Sequence, residues 1–207
     1  MSNLEHTESK EVVEALQPEI RNYLRQFQEA TESAQHLVEG LSRDQLEWKE
    51  GPDRWSIAEC LSHMNVTADQ YYPAIDRSMR RARERGLLGK GPFRHGFLMN
   101  RFIAMLEPPP GRSFKAPRNF RPRARNLADE IGTFFVHQEA IMKRVRKADG
   151  LDLARVKLVS PASRLLRMSL GQCFALLATH ERRHLWQSAR VKEALERGSK
   201  GEVRGEK

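Results

Sequence analysis

Apolar residues recur at intervals of three and four in four long segments of the chain, which is the spacing of one face of an α-helix. Capping residues mark the starts of these segments: Ser56 and Ser169 each open a capping box, Asn126 is an N-cap, and Pro18 suits a first helical turn. The pattern predicts long helices over residues 18–39, 57–85, 127–149 and 170–197. No segment alternates like a long strand, so we predict an all-α fold, a four-helix bundle.

About forty residues separate the second and third predicted helices, and shorter helical patterns occupy residues 42–48 and 97–106. The rest of this connection is rich in proline, and residues 112–125 contain six basic side chains and no acidic one. A connection of this length in a compact domain usually lines a site or crosses a bundle. We therefore predict a crossover over the bundle. Residues 1–17 are interpreted as an N-terminal extension, 18–197 as the bundle domain and 198–207 as a flexible tail.

Composition narrows the class of protein. The chain has 207 residues, a formal net charge of +9 and 39% hydrophobic residues. No apolar run approaches the roughly 18 residues of a membrane helix. The two cysteines, Cys60 and Cys173, are too few for a disulfide scaffold and are expected to pack as small apolar side chains. The start of the chain lacks the pattern of a secretion signal, so we predict a soluble cytoplasmic protein without a membrane partner.

Three histidines are candidates for a metal site. His180 and His184 stand four residues apart on the last predicted helix, so both imidazoles lie on one face, one turn apart. His63, on the second predicted helix, could supply a third ligand if the two helices are neighbours. Such a pair also arises by chance on charged helices. The neighbouring Glu181 falls within the apolar face, however, where a carboxylate is costly without a partner, and a metal centre would supply the reason.

Residues 180–184 also match the H-E-x-x-H signature of zinc proteases. The extended form of that signature requires glycine and histidine where this chain has Gln187 and Arg190. A zinc protease is therefore not favoured. His137, on the third predicted helix, is a further candidate for contact with a substrate or with a ligand imidazole.

Two motifs about 120 residues apart resemble a known family. The first is Trp55-Ser56-x-x-Glu59-x-x-x-His63, and the second runs from Ser169-Leu170-Gly171 to His180-x-x-x-His184-Leu-Trp-Gln187. Together they resemble the DinB-like superfamily, which includes metal-dependent thiol transferases, over roughly residues 17–195. The resemblance implies an up-up-down-down bundle with a long crossover between helices 2 and 3. It also implies a divalent metal held at one end of the bundle by His63, His180 and His184.

The resemblance further implies a chemistry. Characterised relatives use low-molecular-weight thiols such as bacillithiol, mycothiol or glutathione, and others are described as metal-dependent hydrolases. We therefore expect a metal-dependent enzyme, with transfer of a thiol to an electrophile ahead of hydrolysis. Glu181 or Glu59 is the candidate general base or partner of a ligand, and Zn, Ni, Fe or Mn would suit three imidazoles. The candidate residues for binding an anionic small-molecule substrate are Arg118, Arg121 and Arg123.

Two other functions are open at this point. Residues 55–207 carry thirty basic and fifteen acidic side chains, which would suit a nucleic-acid-binding protein, but no nucleic-acid-binding module is recognisable. A structural or stress-related bundle with a vestigial metal site is the second alternative. Bundles of this kind also pair along an exposed helix face, so a homodimer is compatible with the pattern.

Overall fold

A computed structural model describes residues 14–109, 111, 115–123 and 129–205, with side chains up to residue 198. Within these residues the α-helices are α1 (Pro18–Val38), α2 (Arg43–Glu47), α3 (Ile57–Glu84), α4 (Phe97–Ala104), α5 (Asp129–Lys147) and α6 (Leu170–Gly205). A 3-10 turn, Arg118–Phe120, lies in the crossover between α4 and α5. Two short strands, β1 (Lys157–Val159) and β2 (Arg167–Ser169), precede α6. The prediction of a mainly helical fold is confirmed.

Helix starts follow the capping chemistry in the sequence. The Ser56 hydroxyl accepts a hydrogen bond from the Glu59 amide at 3.1 Å, and the Glu59 carboxylate accepts one from the Ser56 amide at 2.9 Å. Ser169 and Gln172 form the same reciprocal pair at the start of α6, at 3.2 and 3.1 Å. Both predicted capping boxes are therefore present. The predicted cap Asn126 lies outside the described residues.

The neighbours of each long helix show how the bundle is arranged. Helix α3 packs between α5 and α6, and α1 packs between the same two helices on the other side. Asn65, near the start of α3, donates to the carboxylate of Glu130 at the start of α5 at 2.7 Å. Arg144, near the end of α5, donates to Asp76, further along α3, at 2.8 Å. Helices α3 and α5 therefore run in the same direction.

Helix α1 runs the opposite way to α5, because its preceding residue Gln17 donates from the backbone to Asp149, just after α5, at 3.0 Å. Helices α1 and α6 are parallel: Tyr23 contacts Phe174 near both starts, with ring centroids 5.7 Å apart, and Lys192 donates to the Leu37 carbonyl further along at 2.9 Å. The order of directions is up-down-down-up. The predicted up-up-down-down order is wrong, since that order needs two long crossovers and this chain has one, between the parallel pair α3 and α5.

Two local differences from the predicted elements have simple causes. The chain before α6 forms an antiparallel hairpin in which Leu158 pairs with Met168, and both side chains are buried. Strands of three residues are too short for alternation to reveal them. Helix α6 continues through Gly198 to Gly205, so the predicted helix end at Gly198 is wrong; one glycine inside a helix costs only about 1 kcal/mol.

The core fills the space between the four long helices. Phe27, Phe134 and Phe174 are fully buried within it, and burial of each such side chain stabilises the fold by about 1.5–3 kcal/mol. The predicted apolar stripe of α3 is buried along its whole length, at Ile57, Leu61, Met64, Ala68, Tyr71, Ile75 and Met79. None of the helices described is both long and apolar enough to cross a bilayer.

The crossover is fixed to the bundle at two places. Glu107, just after α4, accepts hydrogen bonds from Thr179 at 2.9 Å and from Arg182 at 3.1 Å, both on α6. Phe120 is buried with its ring 6.3 Å from that of Tyr71 on α3. The crossover therefore contacts α6 first and then the first half of α3.

The contact between His95 and Gly171 gives a stability prediction. A methyl group added at Gly171 would lie 2.5 Å from the His95 ring, which is itself held by Ser169 at 2.9 Å. We expect Gly171→Ala to lower the free energy of unfolding by about 1–3 kcal/mol in urea denaturation, because the ring must move. In the control Gly132→Ala, inside α5, the added methyl group meets no atom within 4 Å, so stability should rise by up to about 1 kcal/mol. Equal effects of the two substitutions would contradict this account.

Candidate metal centre

Three histidines meet where α3 and α6 cross. His63 lies in the second turn of α3, and His180 and His184 lie one turn apart on α6. One ring nitrogen of each lies within 4.8 Å of the others, and the Nε2 atoms of His63 and His180 are 3.0 Å apart. His63 and His184 are buried and His180 is half-buried. The structure therefore brings together the three histidines that the resemblance implied.

A backbone carbonyl sets the tautomer of His63. Its Nδ1 lies 2.5 Å from the carbonyl oxygen of Phe120, in the 3-10 turn of the crossover. A carbonyl can only accept a hydrogen bond, so we assign the proton of the neutral imidazole to Nδ1. The Nε2 atom then carries a lone pair, and it is this atom that faces His180. A hydrogen bond of this kind to the second nitrogen is the usual support of a metal-binding imidazole.

The three imidazoles fit a divalent metal ion. Two nitrogens bound to one ion at about 2.0–2.1 Å lie roughly 3 Å apart, which agrees with the 3.0 Å between His63 and His180. In addition, Nδ1 of His184 is buried and has no hydrogen-bond partner among the described residues. A buried polar atom without a partner requires an explanation, and a bound ion or water is a common one. Imidazole nitrogen is a ligand that zinc, nickel and iron accept.

The surroundings keep the histidines neutral. Burial, with smaller contributions from His63 and Arg183, lowers the pKa of His180 to about 3. Burial also lowers the pKa of His184 well below its ordinary value and lowers the pKa of His63, which the Phe120 carbonyl partly restores. All three rings are therefore uncharged at neutral pH, and no proton has to leave before their lone pairs can bind a cation.

Trp55 forms one wall of this centre. Its ring lies 4.9 Å from that of His63 and is stacked on that of His184 at 5.8 Å, measured between centroids. The side chain directly precedes the capping residue Ser56, so the start of α3 fixes its place. Trp55 belongs to the motif that carries the resemblance, but sequence analysis gave it no role. It shields the imidazoles and limits their rotation.

Glu181 follows His180 on α6, and both residues line the same cavity. Burial raises the pKa of its carboxyl group to about 8, against smaller lowering effects of Gln138 and Arg182. A cavity of about 10 Å³ adjoins both residues, and its other lining residues are Met64, Thr67, Ala68, Tyr72, Ile141 and Leu177. Oε2 of Glu181 is buried and has no hydrogen-bond partner among the described residues.

Glu59 has a structural task. One carboxylate oxygen closes the capping box of α3, and the other accepts a hydrogen bond from Lys49 at 2.6 Å. Both oxygens are thus engaged in fixing the start of the helix that carries His63. The structure gives Glu59 no contact with the three histidines.

The three predicted substrate-binding arginines have different surroundings. Arg123 forms an ion pair with Asp69, and its backbone amide donates to Ser62 at 2.9 Å. Arg118 and Arg121 are exposed and flank the turn that ends at Phe120. The basic crossover therefore reaches the histidines through its backbone, which the sequence could not reveal. Residues 112–114 and 124–125 of the basic segment lie outside the described residues.

The remaining candidates lie outside the cluster. His137 contacts the ring of Tyr72 at 5.5 Å and lies 3.4 Å from Asp69. Cys60 and Cys173 are buried free thiols, as predicted, and burial raises the pKa of Cys60 to about 12. Neither thiol is therefore a nucleophile at neutral pH.

A helical bundle in which three neutral histidines converge, two of them buried and one half-buried, has the features of a metal-binding protein. Comparison with known families agrees with this interpretation: the model of the DinB superfamily matches residues 26–188. The chain belongs to the DinB superfamily. No curated protein and no solved structure matches it closely enough to add to this assignment.

The pKa shifts predict how acid affects the metal-free protein. The three histidines have lower pKa values in the folded state than in the unfolded state, so the unfolded chain binds more protons below about pH 6.5. Stability should therefore fall from pH 7 to pH 5, each histidine contributing a slope of at most about 1.4 kcal/mol per pH unit. Glu181, whose pKa is raised, offsets one of these slopes.

Chemical denaturation in the presence of a chelator measures this pH dependence. The double variant His180→Asn/His184→Asn should show a shallower loss between pH 7 and 5, and Glu181→Gln a steeper one. Stability of the wild type that stays constant or increases over this interval would contradict the assignment of neutral histidines.

Proposed function

We propose that the protein is a divalent-metal-dependent enzyme that transfers a low-molecular-weight thiol to an electrophile. Hydrolysis is the alternative reaction at the same site. The observation that carries the proposal is the convergence of three neutral imidazoles, one of which has its tautomer set by the Phe120 carbonyl. A divalent ion bound there would supply Lewis acidity toward a thiol or a water molecule. Membership of the DinB superfamily supports thiol transfer ahead of hydrolysis.

The residues of the site would have different roles in binding the ion and shielding it. His63, His180 and His184 would hold the ion, for which zinc, nickel, iron and manganese are candidates. Three protein ligands are typical of catalytic metal centres, since they leave coordination positions for a substrate. Trp55 would exclude water from one side of the rings. Glu181 would serve as a polar partner behind His180.

The exposed arginines of the crossover favour an anionic substrate. The Phe120 carbonyl contacts His63, and the exposed Arg118 and Arg121 lie two residues before and one residue after Phe120. Both arginines are therefore close along the chain to an atom that contacts the candidate metal centre. We propose that they attract and hold a carboxylate of the thiol. Arg123 is already paired with Asp69, so it contributes positive charge near the site less directly. The cytoplasmic location and the homodimer stay predictions; two buried free thiols are in keeping with a reducing compartment.

Metal content tests the ligand set. The purified wild type should contain about one divalent ion per chain, and His63→Ala should lose most of it, because two remaining imidazoles make an incomplete site. Elemental analysis measures the ion, and circular dichroism checks that the variant is folded. His36→Ala is the matched control, since the His36 side chain is 84% exposed and should retain full occupancy. Equal metal content in all three proteins would disprove the tri-histidine centre.

Turnover of thiols tests the reaction. Metal-loaded wild type should consume a carboxylate-bearing thiol in the presence of an electrophile, and His63→Ala should not. In Arg118→Gln/Arg121→Gln the KM for an anionic thiol should rise by about tenfold with a smaller change in kcat, because the lost interactions act on binding. An uncharged thiol should show no such change. Hydrolysis of ester or amide substrates without thiol consumption would favour the alternative, and no turnover of either kind would overturn the proposal.

A further inference from the structure

We propose that the cavity behind His180 holds one buried water molecule, and that Glu181 positions the His180 ring through this water. The proposal of a water site rests on the cavity and its lining alone. The positioning role deepens the proposed metal function and rests on it.

The cavity has the size and lining of a single-water site. Its volume of about 10 Å³ is near the minimum that one water molecule needs. Four of its lining residues are polar and four are apolar, and the polar ones are Thr67, Tyr72, His180 and Glu181. A buried water typically makes about three hydrogen bonds. An apolar cavity of this size would stay dry, whereas this one offers enough partners.

The hydrogen bonds of the lining residues leave acceptors for a water. The Thr67 hydroxyl donates to the His63 carbonyl at 2.8 Å, and the Tyr72 hydroxyl donates to the His137 carbonyl at 2.8 Å. Each hydroxyl has therefore used its proton and keeps only lone pairs, and both residues line the cavity. Oε2 of Glu181 is the buried oxygen without a partner described above. A water can donate to two of these oxygens, and it relieves the cost of leaving Oε2 unpaired.

The His180 ring provides the complementary donor. Its Nε2 faces His63 and is the nitrogen that would bind the metal. Without a metal, this Nε2 has to carry the proton of the His180 ring, because Nε2 of His63 can only accept. With a metal bound at Nε2, the proton would be on Nδ1, from which it could donate to a cavity water. Gln138 forms a hydrogen bond with the Glu181 carboxyl group, and its Oε1 lies 3.3 Å from the hydroxyl oxygen of Thr31 on α1. A chain of contacts thus runs from α1 through Glu181 and the water to a metal ligand, as outer partners of metal-binding histidines commonly do.

Two substitutions at one position test the inference. Glu181→Gln keeps a polar group that can bind the water, and Glu181→Leu removes it while filling similar space. In crystal structures of the full chain we expect an ordered water in the cavity of the wild type and of Glu181→Gln, and none in Glu181→Leu. Zn²⁺ titration against a chelating dye should show most of the affinity retained in Glu181→Gln and a loss of about 10- to 100-fold in Glu181→Leu.

The thermal midpoint separates positioning from a structural role. Glu181→Leu should unfold at the same temperature as the metal-free wild type or higher, since leucine fills similar space without the desolvation cost of a buried carboxyl group. Glu29→Leu, at an exposed position of α1, is the control and should leave the affinity for Zn²⁺ unchanged. A dry wild-type cavity would overturn the inference, and so would Glu181→Leu binding Zn²⁺ as tightly as the wild type. A wild type that holds the water but does not bind Zn²⁺ would overturn the proposed function and the positioning role, and would support the water site alone.

Discussion

The hydrogen bond between His63 Nδ1 and the Phe120 carbonyl connects the two parts of the molecule on which the site depends. On one side it fixes which nitrogen of His63 carries a lone pair. On the other side it holds the middle of a long crossover against the first turns of α3. Burial of the Phe120 ring beside Tyr71 supports the same contact. Loss of this contact would free the tautomer of His63 and weaken the attachment of the basic segment, which the contacts of Arg123 with Ser62 and Asp69 also support.

The centre also shows a balance between stability and chemistry. Most polar groups in a protein core have partners, yet Nδ1 of His184 and Oε2 of Glu181 are buried without one within the described residues, and both lie beside the same imidazoles. Arg183 and the neighbouring histidines lower the pKa values of His180 and His184 further. Such an arrangement disfavours protons and favours a cation that three lone pairs can share. The apolar core between the four long helices supplies the stability that this centre does not.

The sequence could predict the elements that depend on local chemistry. Helical spacing and the capping boxes at Ser56 and Ser169 placed α3 and α6 within one or two residues at their starts, and the spacing of His180 and His184 required only one helix. Helix direction depends on tertiary packing, so periodicity could not reveal it, and the order taken from the resemblance was wrong. The contact of the Phe120 carbonyl with His63 could not be predicted either, because every residue has a backbone carbonyl and residue identity does not show which one makes a contact. Trp55 stood in the motif, but its stacking on His184 depends on α6.

The separation of the ligands along the chain has a consequence for how the protein is made. His63 and His180 are 117 residues apart, and α6, which carries two of the three imidazoles, follows the other described helices in the chain. During synthesis a ribosome-bound chain ending before α6 has one of the three ligands and no parallel partner for α1. The cluster of three histidines can therefore form only after α6 has been synthesised and has packed against α3. A chain that stops before α6 holds a single one of these imidazoles.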